Sequence, residues 1–425
     1  MKPRSSRDLQ KDRAAPPRQA QATPFSIAAA GTIALAVAMG IGRFAFTPLL
    51  PMMLHDGVID LGHGSGLATA NYLGYLFGAL SCMALPRIAS SAMMIRGGLI
   101  ATILLTAGMA LPWPAAWPVL RFAAGAASAM VFVFSSGWCL THLAHRDRAP
   151  LGAMIFTGPG AGIALSGFVA TALVGLHQPA WIGWLVFAGL ALVLSAGCWR
   201  VFHGPDLPTL ARGTSLQATS SAHHATKRPA GSHAEMALFS LAYGLAGFGY
   251  IITATYLPVI ARTALPGSVW LDLFWPILGL GVVTGALIAA GVPHRIDPRY
   301  LLIACYLIQA FGVVLCLILP SLIGFILSSF LVGLPFTALS FFAMQDVRRL
   351  RPEHAARFMG LLTAIYGIGQ IAGPPLAAHL LAVSGSPAEG FAHALGAASA
   401  TLVVGAGLYL VMRLSWPIDK RSELT

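Results

Sequence analysis

The stretch GIGRFAFTPLLP at residues 40–51 has a counterpart in GFGYIITATYLP at residues 247–258. Both begin with Gly-x-Gly and end with Leu-Pro, and the four shared positions are each 207 residues apart. Three further matches follow in the same order: Gly78-Ala79-Leu80 with Gly285-Ala286-Leu287, Phe122-x-x-Gly125 with Phe330-x-x-Gly333, and Gly158-Pro159 with Gly373-Pro374. Because the offsets grow slowly from 207 to 215, these matches predict that the chain consists of two repeated halves.

The composition is that of a membrane protein. Of the 425 residues, 57% are hydrophobic and only 9% are charged, whereas soluble domains carry roughly 25% charged residues. A spanning helix needs about 20 apolar residues. The sequence predicts an all-α polytopic membrane protein whose twelve transmembrane helices form two six-helix repeats, with spans at 25–50, 64–85, 94–112, 116–140, 151–175, 180–201, 234–261, 268–291, 299–319, 321–345, 356–383 and 388–413.

One polar segment divides these spans into two groups of six. Residues 202–233 are rich in Ser, His, Gly and Pro, which is typical of a flexible linker. The sequence thus predicts a disordered basic tail at residues 1–24 and a first six-helix bundle at 25–201. After the linker at 202–233 follow a second six-helix bundle at 234–413 and a short second tail at 414–425.

The distribution of positive charge predicts the orientation. Segments on the side of the N-terminal tail hold 23 of the 26 Lys and Arg residues. Since cytoplasmic loops are enriched in these residues, we expect a multi-pass protein of the bacterial inner membrane with both termini cytoplasmic. Basic loops against anionic lipid headgroups also account for the net charge of +12 without nucleic acid as a partner.

Several short motifs resemble those of the major facilitator superfamily. Leu120-Arg121-Phe122-Ala123-Ala124-Gly125 is similar to its RxxxG motif in the fourth span, and Gly158-Pro159-Gly160 to its Gly-Pro motif in the fifth. The loop after the second span departs from the family pattern, because Gly78 is not followed by the usual aspartate. GIGRFAFTPLLPMM at 40–53 and ANYLGYLFGAL at 70–80 more closely resemble the YbfB/YjiJ-type branch. The resemblance implies two parallel six-helix repeats, a monomer and coupling of transport to protons.

Two arginines lie within predicted spans. An arginine at the centre of a spanning helix costs about 2.5–3.5 kcal/mol, so we expect Arg43 to face a cavity; the alternative is that it snorkels to the outer headgroups. For Arg121 the RxxxG resemblance implies a role in coupling or in substrate contact, and the alternative is an anchor at the membrane boundary. The aligned positions in the second half are Tyr250 and Ser329. Positive charge on one wall only favours an anionic small-molecule substrate.

Other polar residues are candidates for substrate binding. Asn71 and Tyr75 share a face of the second span, because they are four residues apart. Thr363, Tyr366 and Gln370 share a face of the eleventh span, and Tyr250 and Tyr256 come from the seventh. The alternative for Asn71 and Tyr75 is interhelical hydrogen bonding, and for Tyr256 an aromatic at the membrane interface.

Proton coupling and movement have their own candidates. Asp272 is the carboxylate that the sequence offers near a span, and its alternative role is to stabilise the dipole at the start of its helix. We expect Gly158, Pro159, Gly160, Gly373 and Pro374 to act as conformational hinges, since proline removes a helical hydrogen bond; static kinks are the alternative.

These patterns and the family resemblance together predict a secondary active transporter of a small organic, anionic solute that works by alternating access; its coupling to protons is what the resemblance implies. No GxxxxGK[ST] motif is present, and the five cysteines form no CxxC pair, so we expect neither ATP as a cofactor nor a metal site. An exporter of amphipathic or cationic drugs remains an alternative, although such a substrate favours a buried carboxylate. A polytopic membrane enzyme is the alternative of another class; no HExxH motif and no carboxylate pair support it.

Overall fold

The computed structural model describes residues 22–82, 90–203, 233–264, 273–293, 296–351 and 355–417, and within them the chain is helical without strands. These residues form twelve long helices: α1 (Pro24–His55), α2 (Leu61–Ser81), α3 (Ser91–Gly108), α4 (Trp117–Ala144), α5 (Gly152–Gly175), α6 (Ala180–Cys198), α7 (His233–Ala264), α8 (Phe274–Gly291), α9 (Pro298–Ile318), α10 (Leu322–Leu350), α11 (Ala355–Val383) and α12 (Pro387–Ser415). By length and composition eleven of them can cross a membrane. The exception is α2, whose 21 residues include glycine, histidine and asparagine. The predicted fold class is confirmed, with helix ends displaced by a few residues; most of the predicted linker lies outside the described residues.

Short polar side chains begin many of these helices. At the start of α2, for example, the carboxylate of Asp60 accepts a hydrogen bond from the backbone N–H of His63 at 2.7 Å. Such caps satisfy the N–H groups that have no partner in the first turn. The same role at the starts of α1, α3, α9, α10 and α12 is filled by Thr23, Ser90, Asp297, Ser321 and Ser386.

Glycines allow α2 to pack closely on α4. A Cβ atom added to Gly125 would lie 2.0 Å from the carbonyl oxygen of Asn71, and one added to Gly74 would lie 1.8 Å from that of Phe122. The second half repeats this contact between α8 and α10, where a Cβ on Gly333 would lie 2.2 Å from the carbonyl oxygen of Leu278. Close backbone approach through small residues is typical of membrane helices. The two halves therefore share their packing as well as their motifs.

The two halves meet along three pairs of helices: α1 with α7, α2 with α11, and α5 with α8. The α5–α8 contact also depends on small residues, since a Cβ on Gly160 would lie 2.7 Å from the carbonyl oxygen of Gly279. Further along the same contact, a Cβ atom added to Gly167 would lie 2.4 Å from the ring of Pro276. The centre of the molecule is therefore lined by α1, α2, α5, α7, α8 and α11.

Three helices are interrupted within the span. In α1 the residues Ala36–Arg43 form a π-helix between two α-helical parts, Pro24–Leu35 and Phe46–His55. In α5 a short helix ends at Ile155 and the main helix begins at Gly158. In α10 the break lies between Gly333 and Pro335. By contrast, α11 stays one helix although it contains Pro374 and Pro375.

Candidate functional site

Arg43 ends the π-helix of α1 and is buried at the centre of the protein, with 3% of its surface exposed. Its guanidinium carbon lies 3.9 Å from the ring centroid of Tyr75, 5.3 Å from that of Tyr72 and 5.2 Å from that of Phe44. A guanidinium over an aromatic face is attracted by the negative face of the ring, and more strongly where water is excluded. The aromatic side chains of α1 and α2 thus stabilise a cation that the membrane interior disfavours.

Gln370 of α11 connects this arginine to the second half. Arg43 Nη2 donates to Gln370 Oε1 at 2.5 Å, and Gln370 Nε2 donates to the hydroxyl oxygen of Tyr250. Arg43 and Tyr250 occupy equivalent positions of the two repeats, 207 residues apart. One buried glutamine therefore bridges two equivalent positions across the interface between the halves.

Aromatic rings surround the far side of this bridge. The rings of Tyr250 and Tyr366 are stacked, with centroids 5.8 Å apart and planes at 19°. Phe336 meets Tyr250 edge-on at 5.0 Å and also contacts Phe44 at 5.8 Å. Residues of both halves are thus in direct contact, and we call this group the central cluster: Arg43, Phe44, Tyr72, Tyr75, Tyr250, Phe336, Tyr366 and Gln370.

The hydrogen-bonding partner of Arg43 is neutral. Of the acidic residues that the structure describes, Asp56, Asp60, Asp147 and Glu389 lie in loops or at helix starts. The other three, Glu235, Asp297 and Asp346, lie at the ends of helices in the second half and pair with other arginines. No carboxylate among them forms an ion pair with Arg43. A buried charge without an opposite charge is costly. The Nε of Arg43 also has no hydrogen-bond acceptor.

Arg121 supports the π-helix rather than the central cluster. Its Nη1 and Nη2 donate to the carbonyl oxygens of Gly42 and Arg43 at 3.3 and 3.0 Å. Ser128, on the same face of α4, donates to the carbonyl oxygen of Ala38 at 2.7 Å. Because a π-helix departs from the usual ladder, these donors from α4 satisfy its carbonyl groups. Arg121 thereby positions the backbone that carries Arg43.

Three other sequence candidates form hydrogen bonds within the helical framework. Asn71 Nδ2 donates to the carbonyl oxygen of Arg121 at 2.9 Å, which is the interhelical alternative considered for it. The hydroxyl of Tyr256 donates to the carbonyl oxygen of Pro374 at 3.4 Å, and Thr363 donates to Met359 of its own helix. The structure therefore brings Tyr75, Tyr250, Tyr366 and Gln370 to Arg43, and it does not bring these three there.

The remaining candidates occupy different surroundings. Asp272 lies outside the described residues. Gly158 begins the main part of α5, where a Cβ would lie 2.4 Å from the carbonyl oxygen of Thr32. Gly373 precedes Pro374 inside α11, where a Cβ would lie 2.3 Å from the Ile251 side chain. Pro159 is buried next to Gly160, which lies at the α5–α8 contact. All five hinge candidates are thus buried, and their role in movement stays a prediction.

The sequence did not single out a buried charge cluster in the second half. Arg299, with 1% of its surface exposed, donates to Glu235 and to the carbonyl oxygens of Met412 and Trp416, and its Nε lies 3.6 Å from Asp346. These groups lie at the ends of α7, α9, α10 and α12 on one face of the bundle. The only signal for it was that acidic and basic residues sit at the predicted ends of these spans.

A groove of about 470 Å³ lies away from the central cluster, between α3 and α6. Arg96 in this groove stacks over the ring of Trp199 at 5.0 Å and donates to its carbonyl oxygen at 3.1 Å. The neighbouring Met93 and Ile100 are exposed on the outer surface of the bundle. The groove therefore faces the surroundings of the protein rather than the interface between its halves, and we do not assign it to the candidate site.

Comparisons with known proteins agree with this architecture. The profile of a family described as "Uncharacterised MFS-type transporter YbfB" matches residues 35–410. The comparison with curated proteins found no match.

Two solved structures of the nucleoside transporter NupG, one of them a point mutant, are similar with TM-scores of 0.69 and 0.67 at 14% and 15% identity. Both cover 92% of this chain; the match includes 99% of the mutant NupG chain and 98% of the other NupG chain. A bacterial homologue of the human lysosomal transporter Spinster, in an inward-facing and unoccupied conformation, has a TM-score of 0.64 at 12% identity, covering 92% of this chain and 97% of its own. At these identities the likeness concerns the fold.

Proposed function

Because the chain belongs to the family of MFS-type transporters represented by YbfB, we propose that it is a secondary active transporter that carries a small organic anion by alternating access, coupled to protons. The observation that carries the anionic substrate is the buried guanidinium of Arg43. It lies between the two halves of the protein, and its hydrogen-bonding partner is a neutral amide. A carboxylate or another anion that reached this position would supply the charge that the protein itself does not.

The contacts between the halves support alternating access. Thr47 donates to the carbonyl oxygen of Ala254 at 3.0 Å, and the hydroxyls of Tyr72 and Thr255 are 3.0 Å apart. Thr47 of α1 and Ala254 and Thr255 of α7 lie beyond the central cluster, towards the side opposite the N-terminal tail, and Tyr72 reaches Thr255 from the cluster itself. With the tail in the cytoplasm, as its charge predicts, these contacts close the outer side. Rocking of the halves about the central cluster would break them and expose the site outwards.

Proton coupling is the part of the proposal for which the sequence names Asp272. A transporter without a nucleotide-binding motif needs an ion gradient as its energy source, and protons are the coupling ion that the family resemblance implies. Within the described residues the carboxylates lie away from the central cluster, so a proton on any of these carboxylates would act on the movement of the halves rather than on the solute itself.

The alternatives fit the central cluster less well. A cationic drug would meet the guanidinium of Arg43 without a carboxylate, among the residues described, to balance its charge. Neutral amphipathic compounds could contact the aromatic rings, but they leave the buried charge unpaired. For an enzyme, the central cluster offers tyrosines, one amide and one arginine, and no nucleophile paired with a base.

The test is solute counterflow in proteoliposomes that contain the purified protein. Vesicles loaded with an unlabelled compound are diluted into a trace of the same labelled compound, and accumulation of label reports alternating access in either direction. We expect accumulation for at least one organic anion from a panel of monocarboxylates, dicarboxylates, sulfonates and phosphate esters, and a change in rate when a pH gradient is imposed. Label at the level of protein-free vesicles for every anion would contradict the proposed function, and counterflow insensitive to pH gradients would contradict proton coupling.

A further inference from the structure

The proposed function makes the central cluster an anion site, and on that basis its residues also indicate which anion fits. We propose that the solute is a planar, conjugated monoanion such as an aromatic carboxylate, and that its charged group takes the place of the Gln370 amide on Arg43. Three features of the central cluster carry the proposal: the number of cations, the absence of a group for a solute ammonium, and the arrangement of the rings.

The number of cations at the central cluster favours a solute with a single negative charge. In the part of the chain that the structure describes, Arg43 is the one cation whose guanidinium contacts the aromatic rings and the amide of the central cluster. Both terminal nitrogens of the nearby Arg121 donate hydrogen bonds to backbone carbonyl oxygens of α1. Its guanidinium carbon lies 5.0 Å from the ring centroid of Phe46. A dicarboxylate or phosphate ester would bring a second charge into a buried site without a second cation to balance it.

The same inventory argues against a zwitterion. An amino acid carries an ammonium group that needs a carboxylate or several acceptors when it is buried. The seven acidic residues described by the structure all lie in loops or at helix ends, away from Arg43. The hydroxyls of Tyr72 and Tyr250 are already hydrogen-bonded to Thr255 and Gln370. The ammonium of an aromatic amino acid would therefore meet no carboxylate among the described residues to balance its charge.

The rings next to Arg43 favour a planar body. The face of Tyr75 covers the guanidinium at 3.9 Å, while Tyr250 and Tyr366 are stacked within 19° of parallel. Tyr243 extends this stack, with its ring centroid 4.9 Å from that of Tyr366. Tyr75 and Tyr366 are only partly buried, in contrast to Tyr72 and Tyr250, which are buried. A flat conjugated group can insert among such faces, because aromatic pairs prefer offset stacking.

Displacement of Gln370 follows from the strength of the competing bonds. The acceptor of the hydrogen bond from Arg43 to Gln370 is a neutral amide, whereas a carboxylate can accept two parallel bonds that are charge-assisted and roughly twice as strong. The amide that is released keeps its bond to Tyr250 within the second half. Since Arg43–Gln370 connects α1 to α11, its replacement by the solute removes one link between the halves when the site is filled.

Binding to the full-length protein in detergent tests the choice of solute. All five cysteines are free and buried, so a thiol-reactive fluorogenic dye reports thermal unfolding. The planar probes are benzoate, nicotinate and 2-naphthoate. The matched probes are cyclohexanecarboxylate, which has the charge without the flat ring, benzamide without the charge, phthalate with two charges, and phenylalanine with an added ammonium. We expect a planar monocarboxylate to raise the unfolding temperature by several degrees at saturation, with each matched probe at least about tenfold weaker.

Two variants test the displacement. Gln370→Glu places a carboxylate of the same shape on Arg43, so the benzoate-class probe should bind at least about tenfold more weakly. Gln370→Ala removes the competing amide, so affinity should equal or exceed that of the wild type. Gln178→Glu adds the same charge at a partly exposed loop residue and should leave affinity unchanged. Unchanged binding in Gln370→Glu, or equal losses in both Gln370 variants, would overturn displacement.

The outcomes separate this inference from the proposed function. If dicarboxylates, phosphate esters or aliphatic anions bind in preference and lose affinity in Arg43→Gln, the planar monoanion is wrong and anion transport stands. If only neutral or cationic compounds bind, both fail. If no probe of the planar series stabilises the protein, the inference is also overturned.

Discussion

Thr47 donates its hydroxyl hydrogen to the carbonyl oxygen of Ala254 at 3.0 Å, and the two residues are 207 positions apart in the chain. That separation is the offset of the internal repeat, so equivalent residues of the two halves touch each other. A contact between equivalent positions lies next to the axis that relates the halves. Gln370 bridges Arg43 and Tyr250, which have the same offset. The candidate site is therefore centred on the pseudo-symmetry axis, with an arginine on one side and a tyrosine on the other.

The first prediction concerns this contact on the outer side. Thr47→Val removes the hydroxyl and keeps the shape, so the closed arrangement should lose about 1 kcal/mol. Spin labels at the exposed positions Val58, in the loop after α1, and Val383, at the end of α11, should then report a larger population of long distances. Thr47→Ser retains the hydroxyl and serves as the control. Identical distance distributions in the valine and serine variants would show that the contact does not hold the halves together.

The second prediction concerns the packing of α2 on α4. Gly125→Ala places a Cβ atom 2.0 Å from the carbonyl oxygen of Asn71, and backbone atoms can yield only if the helices separate. We expect a marked loss of folded protein in the membrane and a lower unfolding temperature. At Gly137, on the same helix, a Cβ atom meets nothing within 4 Å, and Gly137→Ala should behave as the wild type. Equal stability of the two alanine variants would contradict the packing.

The third prediction concerns the charge cluster of the second half. Glu235→Gln leaves Arg299 with less compensation in a site that is almost fully buried. Loss of one partner of a buried pair typically costs about 3–5 kcal/mol, so the unfolding temperature should fall clearly. Glu389→Gln, at an exposed carboxylate near the start of α12, is the control. If both variants unfold at the wild-type temperature, the cluster does not stabilise the protein.

The fourth prediction concerns orientation. Alkaline phosphatase is active only outside the inner membrane, so a fusion after Gly57, in the loop between α1 and α2, should be active. A fusion after His203, which follows α6, should be inactive because this end lies on the side rich in Lys and Arg. The reverse pattern would place the termini outside and would also invert the assignment of the closed side.

The arrangement of helices was predictable because it depends on local patterns. The apolar spans and the repeated motifs predict twelve helices in two equivalent halves, and the structure agrees. The motif residues also pack as repeats, since Gly125 and Gly333 face the carbonyl groups of equivalent residues in α2 and α8. Such features need only the period of the helix and the size of the side chain.

The arrangement of the site was less predictable because it depends on distant contacts. The sequence singled out Arg43, Tyr250 and Gln370 separately, but helix periodicity does not reveal which side chains meet across the halves. It also did not predict the π-helix at Ala36–Arg43, whose carbonyl groups engage Arg121. Phe44, Tyr72 and Phe336 carried no signal, since aromatic residues are common in spans of any kind. The burial of Glu235 depends on Arg299, which is 64 residues later in the chain.

The most direct test of the central claim is the affinity of the best-transported anion for variants of Arg43, measured by titration calorimetry. Arg43→Gln removes the charge, and truncating one partner of a buried charge pair costs at least about 2 kcal/mol, so the dissociation constant should rise by about 30-fold or more. Arg43→Lys should recover only part of this loss because it lacks the planar fork, and Arg96→Gln, in the groove between α3 and α6, should bind as the wild type does. Binding by Arg43→Gln within about threefold of the wild type would contradict the assignment of Arg43 as the residue that holds the anion.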